Sequence, residues 1–284
     1  MVKAILLILH LIPYKWALRV GSLIGELAFL LRIRYDVSMR NLSLMLNGEG
    51  DGKFCRRIIL ESYRNFGRSL VEFALLPRLK PHLKELVRID DKQIFDEALS
   101  TGAVLVTAHY GSWELFGAAL KAYGYPIEFL VGQQTNNLVD NLMNKIRSEM
   151  GIGLIRMGIS AKGVIKALKE KKYVAMLSDQ DAGDSGVIVQ FFGKPASTPK
   201  GAAAFALKAS VPILTGAIIR DENGITHTVK TIRIEPDRFI GFDDPVKALT
   251  QEYTSILEQI IMEKPEGWFW AHRRFKTTIK GFYR

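Results

Sequence analysis

The sequence predicts an α/β fold: a single domain with a central, mostly parallel or mixed sheet flanked by helices, preceded by an N-terminal apolar helical region. Short apolar runs alternate with helical stretches from residue 89 onward, as expected for helices that cover a sheet. The chain has 284 residues, 48% of them hydrophobic, which is enough to bury a large core. We divide it into an apolar helical segment, residues 1–35, and an α/β domain, residues 36–284.

The first 31 residues have the composition of a segment at a membrane surface. A first apolar run stops at Pro13, and a second, residues 16–31, contains Arg19 and Glu26. Neither run reaches the ~20 clean apolar residues of a spanning helix. Trp16 beside a lysine is typical of an interface. We therefore predict an amphipathic membrane-facing segment, with a single weakly apolar span and a buried helix pair as alternatives.

Positive charge is concentrated at the two ends of the chain. Residues 1–80 hold 13 Lys and Arg against 6 Asp and Glu, and residues 264–284 hold 6 against 1. This distribution suits an anionic membrane surface or nucleic acid. The apolar N-terminus favours the membrane, and no nucleic-acid-binding module is recognisable. The lone cysteine, Cys55, fits a reducing, cytoplasm-facing location.

The remaining elements follow from hydrophobic periodicity. Residues 36–75 have a helical pattern that a glycine-rich stretch, residues 47–52, breaks into two helices. Apolar, β-branched runs predict strands at 103–108, 127–131, 173–177, 187–191, 212–219 and 226–234. Helices are predicted between them at 113–122, 138–150, 161–169, 200–209 and 246–261.

Residues 109–114 (HYGSWE) are the first candidate for chemistry, because they directly follow the predicted buried strand 103–108. On one continuous helix His109 and Glu114 would point about 140° apart, but across a strand–turn–helix junction they can meet. We expect Glu114 to orient the ring of His109, whose other nitrogen can take a proton from a hydroxyl. Ser112 is expected to cap the following helix rather than act as a nucleophile, since no G-x-S-x-G surrounds it. The spacing alone also fits a structural histidine.

Two acids follow the predicted strand 173–177. Asp179 and Asp181 can each reach the same strand-end cleft as rival or additional partners of His109. They can also bind a metal or start a turn, but neither GxxxxGK[ST] nor GxGxxG occurs in the chain. We therefore expect no metal and no cofactor.

Two segments that contain basic residues are further candidates for substrate binding. Residues 191–199 (FFGKPASTP) predict a helix capped by Thr198, and its N-terminus, with Lys194 and Lys200 nearby, can hold an anion. Residues 268–276 (WFWAHRRFK) form an aromatic–basic patch usable for membrane, phosphate or single-stranded nucleic acid.

Taken in order, these motifs resemble the bacterial lipid A biosynthesis acyltransferases of the lysophospholipid acyltransferase superfamily. The resemblance runs almost end to end, and the ordered set is far more specific than any one motif. Its parts are an N-terminal Leu-Ile-Pro, Arg40-Asn41-Leu42, His109-x4-Glu114, Asp179-Gln180-Asp181, Phe191-Phe192-Gly193 with Thr198, and Trp270-x-His272-Arg273-Arg274-Phe275-Lys276.

The resemblance implies a single-step transfer of a fatty acyl group from an acyl thioester to a glycolipid hydroxyl, without a covalent acyl-enzyme. His109 is then the expected general base, and Glu114, Asp179 and Asp181 are the other expected catalytic residues. The expected donor is an acyl carrier protein or coenzyme A thioester, and the acceptor is a membrane glycolipid similar to a lipid A precursor. The location implied is the cytoplasmic face of the inner membrane. Expected substrate-binding residues are Trp113, Arg147, Arg156, Lys194, Thr198, Arg273 and Arg274.

Other functions fit parts of this pattern. Mannoside acyltransferases use the same His box, so the acceptor can instead be a mannosylated phosphoinositide. A non-catalytic lipid-binding or assembly protein of the same fold is a second alternative. A lipase-like hydrolase is disfavoured by the missing nucleophile elbow.

Overall fold

The computed structural model describes residues 9–133, 135–157 and 160–284. The strands are β1 (Val87–Ile89), β2 (Ala103–Thr107), β3 (Ile127–Val131), β4 (Gly153–Arg156), β5 (Tyr173–Leu177), β6 (Val187–Phe191), β7 (Lys194–Thr198), β8 (Ile213–Arg220) and β9 (His227–Ile234). The helices are α1 (Tyr14–Leu30), α2 (Tyr35–Met45), α3 (Gly52–Leu79), α4 (Leu83–Leu86), α5 (Lys92–Ala98), α6 (Trp113–Ala122), α7 (Asn137–Glu149), α8 (Ser160–Lys169), α9 (Gly201–Ala209) and α10 (Pro245–Glu263).

Seven strands form one sheet in the order β1-β9-β8-β2-β5-β3-β4. Strands β8, β2, β5, β3 and β4 are parallel, β9 is antiparallel to β8, and β1 is parallel to β9. Strands β6 and β7 form a separate antiparallel hairpin. The predicted α/β class and mostly parallel sheet are therefore confirmed.

The sheet separates two hydrophobic cores, and β2 shows how the sequence produces them. Its side chains alternate between faces because a strand has a period of two residues. Val104 and Val106 belong to the core under α8, α9 and α10. Ala103 and Leu105 belong to the core under α6 and the C-terminal half of α3. Burial on both faces explains why β2 is apolar up to Thr107.

Helix α1 packs closely along α3 through glycines. A Cβ atom on Gly67 would lie 2.0 Å from the carbonyl oxygen of Gly21, and one on Gly25 would lie 2.1 Å from that of Tyr63. Only glycine permits this approach of the two backbones. The predicted apolar segment of residues 4–31 begins outside the described residues, and none of the described helices is long and apolar enough to cross a membrane. The division of the chain at residue 35 stays a prediction.

The segment 191–199 differs from its predicted structure. Phe191 pairs with Lys194 across a two-residue turn, in which Phe192 and Gly193 both have positive φ (51° and 68°). This is the backbone of a type I′ hairpin. Thr198 therefore ends strand β7 and does not cap a helix; α9 begins at Gly201. The short strands β1 and β4 were also not predicted, since neither has a clear apolar alternation.

A buried ionic cluster ties α1 to the sheet through α3. Arg220 donates to both oxygens of Glu72 at 2.7 Å, and the hydroxyl of Tyr14 donates to Oε1 at 2.8 Å. Nε2 of His227 lies 3.4 Å from the same oxygen. Burial opposes ionisation of Glu72, but Arg220, His227 and the hydrogen bonds outweigh it and lower the pKa of Glu72 to about 2. Burial lowers the pKa of His227 to about 4.

We predict that Glu72→Gln lowers the free energy of unfolding by about 3–5 kcal/mol at pH 7, because it leaves the buried charge of Arg220 uncompensated. The pKa of Glu72 is lower in the folded state, so its contribution is complete above pH ~4.5 and disappears as the pH falls toward 2. Urea unfolding of both proteins across this range measures the difference, which should narrow on acidification. The matched control is Glu61→Gln, whose half-exposed pair with Arg64 should contribute less than ~1 kcal/mol. Equal losses in the two variants would contradict the prediction.

Candidate active site

His109 and Asp179 meet because their strands are aligned. Strands β2 and β5 are neighbouring and parallel, with Thr107 opposite Leu177. His109 lies two residues after Thr107, and Asp179 lies two residues after Leu177. The backbone N–H of Ser178 also bonds to the carbonyl of Thr107 at 3.0 Å, which extends the register into the loops. Ligand sites of open α/β sheets lie at such carboxyl ends.

The carboxylate of Asp179 accepts three hydrogen bonds. Nδ1 of His109 lies 2.8 Å from Oδ1, while the His109 backbone N–H and the Trp268 indole N–H donate to Oδ2 at 2.9 and 2.8 Å. Burial opposes ionisation, but the charge and hydrogen bonds of His109 and the bond from Trp268 lower the pKa of Asp179 to about 2. An ionised Asp179 requires a proton on Nδ1 of His109, so Nε2 is the nitrogen with the free electron pair.

Glu114 does not bond His109, contrary to the expectation that it is the first orienting partner. Its two oxygens accept from Nε and Nη2 of Arg147, the first at 3.0 Å, and both side chains are buried. The turn places Glu114 on the inner face of α6, opposite α7. Ser112 occupies the N-cap position, but its buried Oγ makes no hydrogen bond within the described structure, so the predicted capping bond is wrong.

Asp181 bonds to other partners than His109. Its carboxylate accepts from the hydroxyl of Thr277 at 2.7 Å and from the backbone N–H of Gly183 at 3.3 Å. Its own backbone N–H donates to Nε2 of His272 at 3.0 Å. Burial lowers the pKa of His272 to about 4, so this ring is the neutral acceptor that the bond requires. Of the two rival acids, Asp179 is the one bonded to His109.

A cavity of about 810 Å³ opens beside His109. Strands β2, β3 and β5 and helices α6, α7 and α9 contribute mostly apolar side chains to it, including Leu105, Phe116, Phe129, Leu130, Met143, Ala175, Met176 and Phe205. Trp113, Phe66 and Phe269 also line it, with the ring of Trp113 5.0 Å from that of His109 and Phe66 stacked on Phe269 at 4.6 Å. The arrangement can hold an apolar chain next to a proton acceptor.

Comparison with known proteins agrees with this geometry. The family profile described as bacterial lipid A biosynthesis acyltransferase matches residues 1–277. The chain belongs to this family. A lipid A biosynthesis lauroyltransferase of Escherichia coli (strain K12) is 28% identical over 280 residues, covering 95% of this chain and 88% of that one. A lipid A biosynthesis acyltransferase of Haemophilus influenzae is 26% identical over 274 residues, covering 94% and 86%.

A phosphatidylinositol mannoside acyltransferase of Mycobacterium tuberculosis is also similar, at 25% identity over 169 residues, 55% of this chain and 52% of that one. The predicted family is thus confirmed, and membership supports an enzyme that transfers an acyl group to a lipid acceptor.

The remaining substrate-binding candidates of this acyltransferase are scattered. Lys194 is exposed on β7, and Arg156 is exposed 3.9 Å from Asp140. Arg273 is exposed, whereas Arg274 is fully buried and donates to the carbonyl of Ser197 and the hydroxyl of Thr198. Arg274 and Thr198 thus bond each other inside the protein, and their contact with substrate stays a prediction. Arg147, which does line the cavity, is held by Glu114.

Several residues of the site escaped sequence reasoning. Gln180, named only within its motif, lines the cavity with its Nε2 3.4 Å from Nε2 of His109. Phe66 comes from α3 and Phe269 from the chain end, far apart in sequence. Lys200, which the sequence analysis named together with Lys194, is exposed and lines the cavity, whereas Lys194 is not among the lining residues. Trp268 lay in a recognised motif, but its bond to Asp179 depends on the fold.

We predict that Glu114→Gln destabilises this acyltransferase by about 3–5 kcal/mol, because an amide cannot balance the charge of the buried Arg147. Urea unfolding measures the loss, and ¹⁵N NMR of the His109 ring should show an unchanged tautomer. Arg156→Gln is the control, since its exposed side chain should contribute less than ~1 kcal/mol. An undiminished stability together with an altered His109 tautomer would return Glu114 to the role of orienting acid.

Proposed function

We propose that this chain transfers a fatty acyl group from an acyl thioester to a hydroxyl of a lipid or glycolipid, with His109 as the general base. The observation that carries the proposal is the pair of His109 and buried Asp179 beside a largely apolar cavity. General bases need a fixed tautomer, and a carboxylate on Nδ1 supplies it.

The proposed reaction is one displacement. Nε2 of His109 takes the proton of the acceptor hydroxyl as its oxygen attacks the thioester carbonyl. The new C–O bond forms, the C–S bond breaks, and the imidazolium returns the proton to the departing thiolate. Asp179 stabilises the imidazolium, and the side-chain amide of Gln180 is a candidate donor to the oxyanion. Ser112 has no bond to His109, which favours direct transfer over an acyl-enzyme.

The apolar cavity fits an extended acyl chain better than a sugar. Its walls carry leucine, phenylalanine and methionine side chains, and the buried charges of Glu114 and Arg147 are paired with each other. We place the acyl chain in this cavity with its carbonyl beside His109. The glycolipid hydroxyl then approaches from the side of Gln180, where exposed Lys200 is available for a phosphate.

The names of the relatives guide the choice of substrate. Those with near full-length coverage act in lipid A biosynthesis, so we propose an acceptor similar to a lipid A precursor, and an acyl carrier protein or coenzyme A as carrier of the acyl group. A mannosylated phosphoinositide is the second candidate, from the relative that shares about half its length. A non-catalytic lipid-binding protein of this fold would retain the cavity but show no turnover.

We also propose that the outer face of α1 lies in the membrane surface at the cytoplasmic face of the inner membrane. This face carries exposed apolar side chains, namely Trp16, Leu23, Leu27 and Leu30. Exposed basic residues flank it, including Lys15, Arg19, Arg32 and Arg34. Helix α3 contacts α1 through Gly67 and lines the cavity through Phe66 and Leu70. A bilayer against α1 would therefore lie near the cavity.

For catalysis we predict that His109→Ala lowers kcat by about 10²–10⁴-fold while circular dichroism still shows a folded protein. The assay follows transfer of a labelled acyl group from its thioester to lipid extracts of the source cells. His82→Ala, at an exposed histidine, is the control and should keep full activity. Near-normal turnover by His109→Ala would refute the proposed mechanism, and no turnover by the wild type would favour the lipid-binding alternative.

For attachment we predict salt-resistant binding to anionic vesicles that needs the α1 face. Charge attraction is screened within ~3 Å at 1 M salt, whereas apolar burial persists. Replacing the four apolar residues of the α1 face by serine should make binding salt-sensitive in a flotation assay. The control replaces four other exposed apolar residues by serine, namely Leu99, Ile232, Ile240 and Phe242. Equal behaviour of the two variants would contradict the membrane assignment.

A further inference from the structure

The C-terminal strap, residues 265–277, crosses the loop that carries His109. The backbone N–H of Gly111 donates to the carbonyl of Gly267 at 2.9 Å, and that of Phe269 donates to the carbonyl of His109 at 3.0 Å. Between these bonds, Trp268 forms a β-bridge with Tyr110. The strap is therefore bonded to the His109 loop on both sides of Trp268.

Trp268 itself is rigidly held. Its side chain is 1% exposed, its ring packs edge-on against those of Trp270 at 4.7 Å and Phe191 at 5.5 Å, and Ser62 Oγ donates to its carbonyl at 2.6 Å. Its indole N–H points at Oδ2 of Asp179 from 2.8 Å. Oδ1 of the same carboxylate faces Nδ1 of His109. Oδ2 also accepts from the backbone N–H of His109 at 2.9 Å. Both of those donors belong to His109, so among the described residues Trp268 is the donor that holds the carboxylate from another part of the chain.

We infer that Trp268 is a positioning residue for the proposed transfer: its indole N–H fixes the Asp179 carboxylate so that Oδ1 is aligned with the ring of His109. This inference rests on the proposed function. The bond also spreads the negative charge of Asp179 onto a neutral donor. Loss of the indole hydrogen bond should leave more negative charge on the Asp179 oxygen that faces His109. The protonated form of the His109 ring should then be more stable. The acid limb of the kcat/KM profile should then move to higher pH.

The test compares Trp268→Phe with Trp270→Phe. Both tryptophans are 1% exposed, but the indole of Trp270 donates to the carbonyl of Pro265 and not to an acid. We expect Trp268→Phe to lower kcat by about 10- to 100-fold, the range for loss of one hydrogen bond to a charged group. KM should change little, since Trp268 is not among the described residues lining the cavity. Trp270→Phe should keep the wild-type pH profile and most of kcat.

A double-mutant cycle separates positioning from packing. If Trp268 acts through Asp179, Trp268→Phe should cost little more in an Asp179→Asn background. The charge of Asp179 also acts on His272 and Arg274, and all variants retain both residues. Additive losses, or equal shifts of the pH profile in Trp268→Phe and Trp270→Phe, would overturn the inference and leave Trp268 as a packing residue.

Two further measurements keep the test decisive. Should Trp268→Phe fail to fold, 3-benzothienylalanine at position 268 keeps the ring shape and replaces only the N–H by sulfur. Should the wild type transfer no acyl group, the proposed function fails, but ¹⁵N NMR of His109 still tests the inference. The His109 ring should titrate at higher pH in the benzothienylalanine protein than in the wild type. An unmoved titration would overturn the role of Trp268.

Discussion

A carboxylate that is 3% exposed can remain ionised only if its oxygens receive enough hydrogen bonds, and Asp179 imposes this constraint on the structure. Its donors come from distant parts of the chain: the backbone and ring of His109 after β2, and the indole of Trp268 in the C-terminal strap. The acid can be buried only when β2 and β5 are in register and the strap is in place. The geometry around His109 therefore depends on completion of the fold.

Two other buried acids hold helices in place. Glu114 joins α6 to α7 through Arg147, and Glu72 joins α3 to β8 through Arg220. Burying such pairs contributes little net stability compared with apolar residues, but removing one partner costs several kcal/mol. They therefore act mainly by excluding other arrangements of the helices. The pair of Glu114 and Arg147 fixes one wall of the cavity next to His109. Glu114 can therefore have a role in the His-x4-Glu box although it does not touch His109.

The sequence predicted the strands of the central sheet best where they are buried on both faces. Residues 173–177 match β5, an apolar run buried along most of its length. Residues 127–131 match β3, whose burial alternates and which a short apolar run between turn signals also identified. Strand β6 was predicted, but its hairpin partner β7 was not, because the turn uses Phe192 and Gly193 instead of Asn-Gly and because proline is rare inside strands. Pro195 is tolerated since β7 pairs on one side only.

The partner of His109 was harder to predict for a topological reason. The sequence placed Asp179 and Asp181 after a strand, but not which strand lies beside β2. The order β8-β2-β5 is a long-range property, and a shift of two residues in the register of β2 and β5 would place Asp181 where Asp179 lies. The buried position of Arg274 was unpredictable in the same way, because a basic run usually remains on the surface.

Transfer to a lipid hydroxyl raises a problem of selectivity against water, since both are oxygen nucleophiles that a general base can activate. The base of this site is only 20% exposed, and an aromatic cluster lies on one side of it. Trp113 is 5.0 Å from its ring, and Phe66 stacks on both Trp113 and Phe269. Excluding water also strengthens the attraction between Asp179 and the imidazolium, because a less polar surrounding screens charge less. Phe66 lies on α3, the helix that carries α1. If α1 lies in the membrane surface, the acceptor can approach His109 from the lipid along a path that water does not favour.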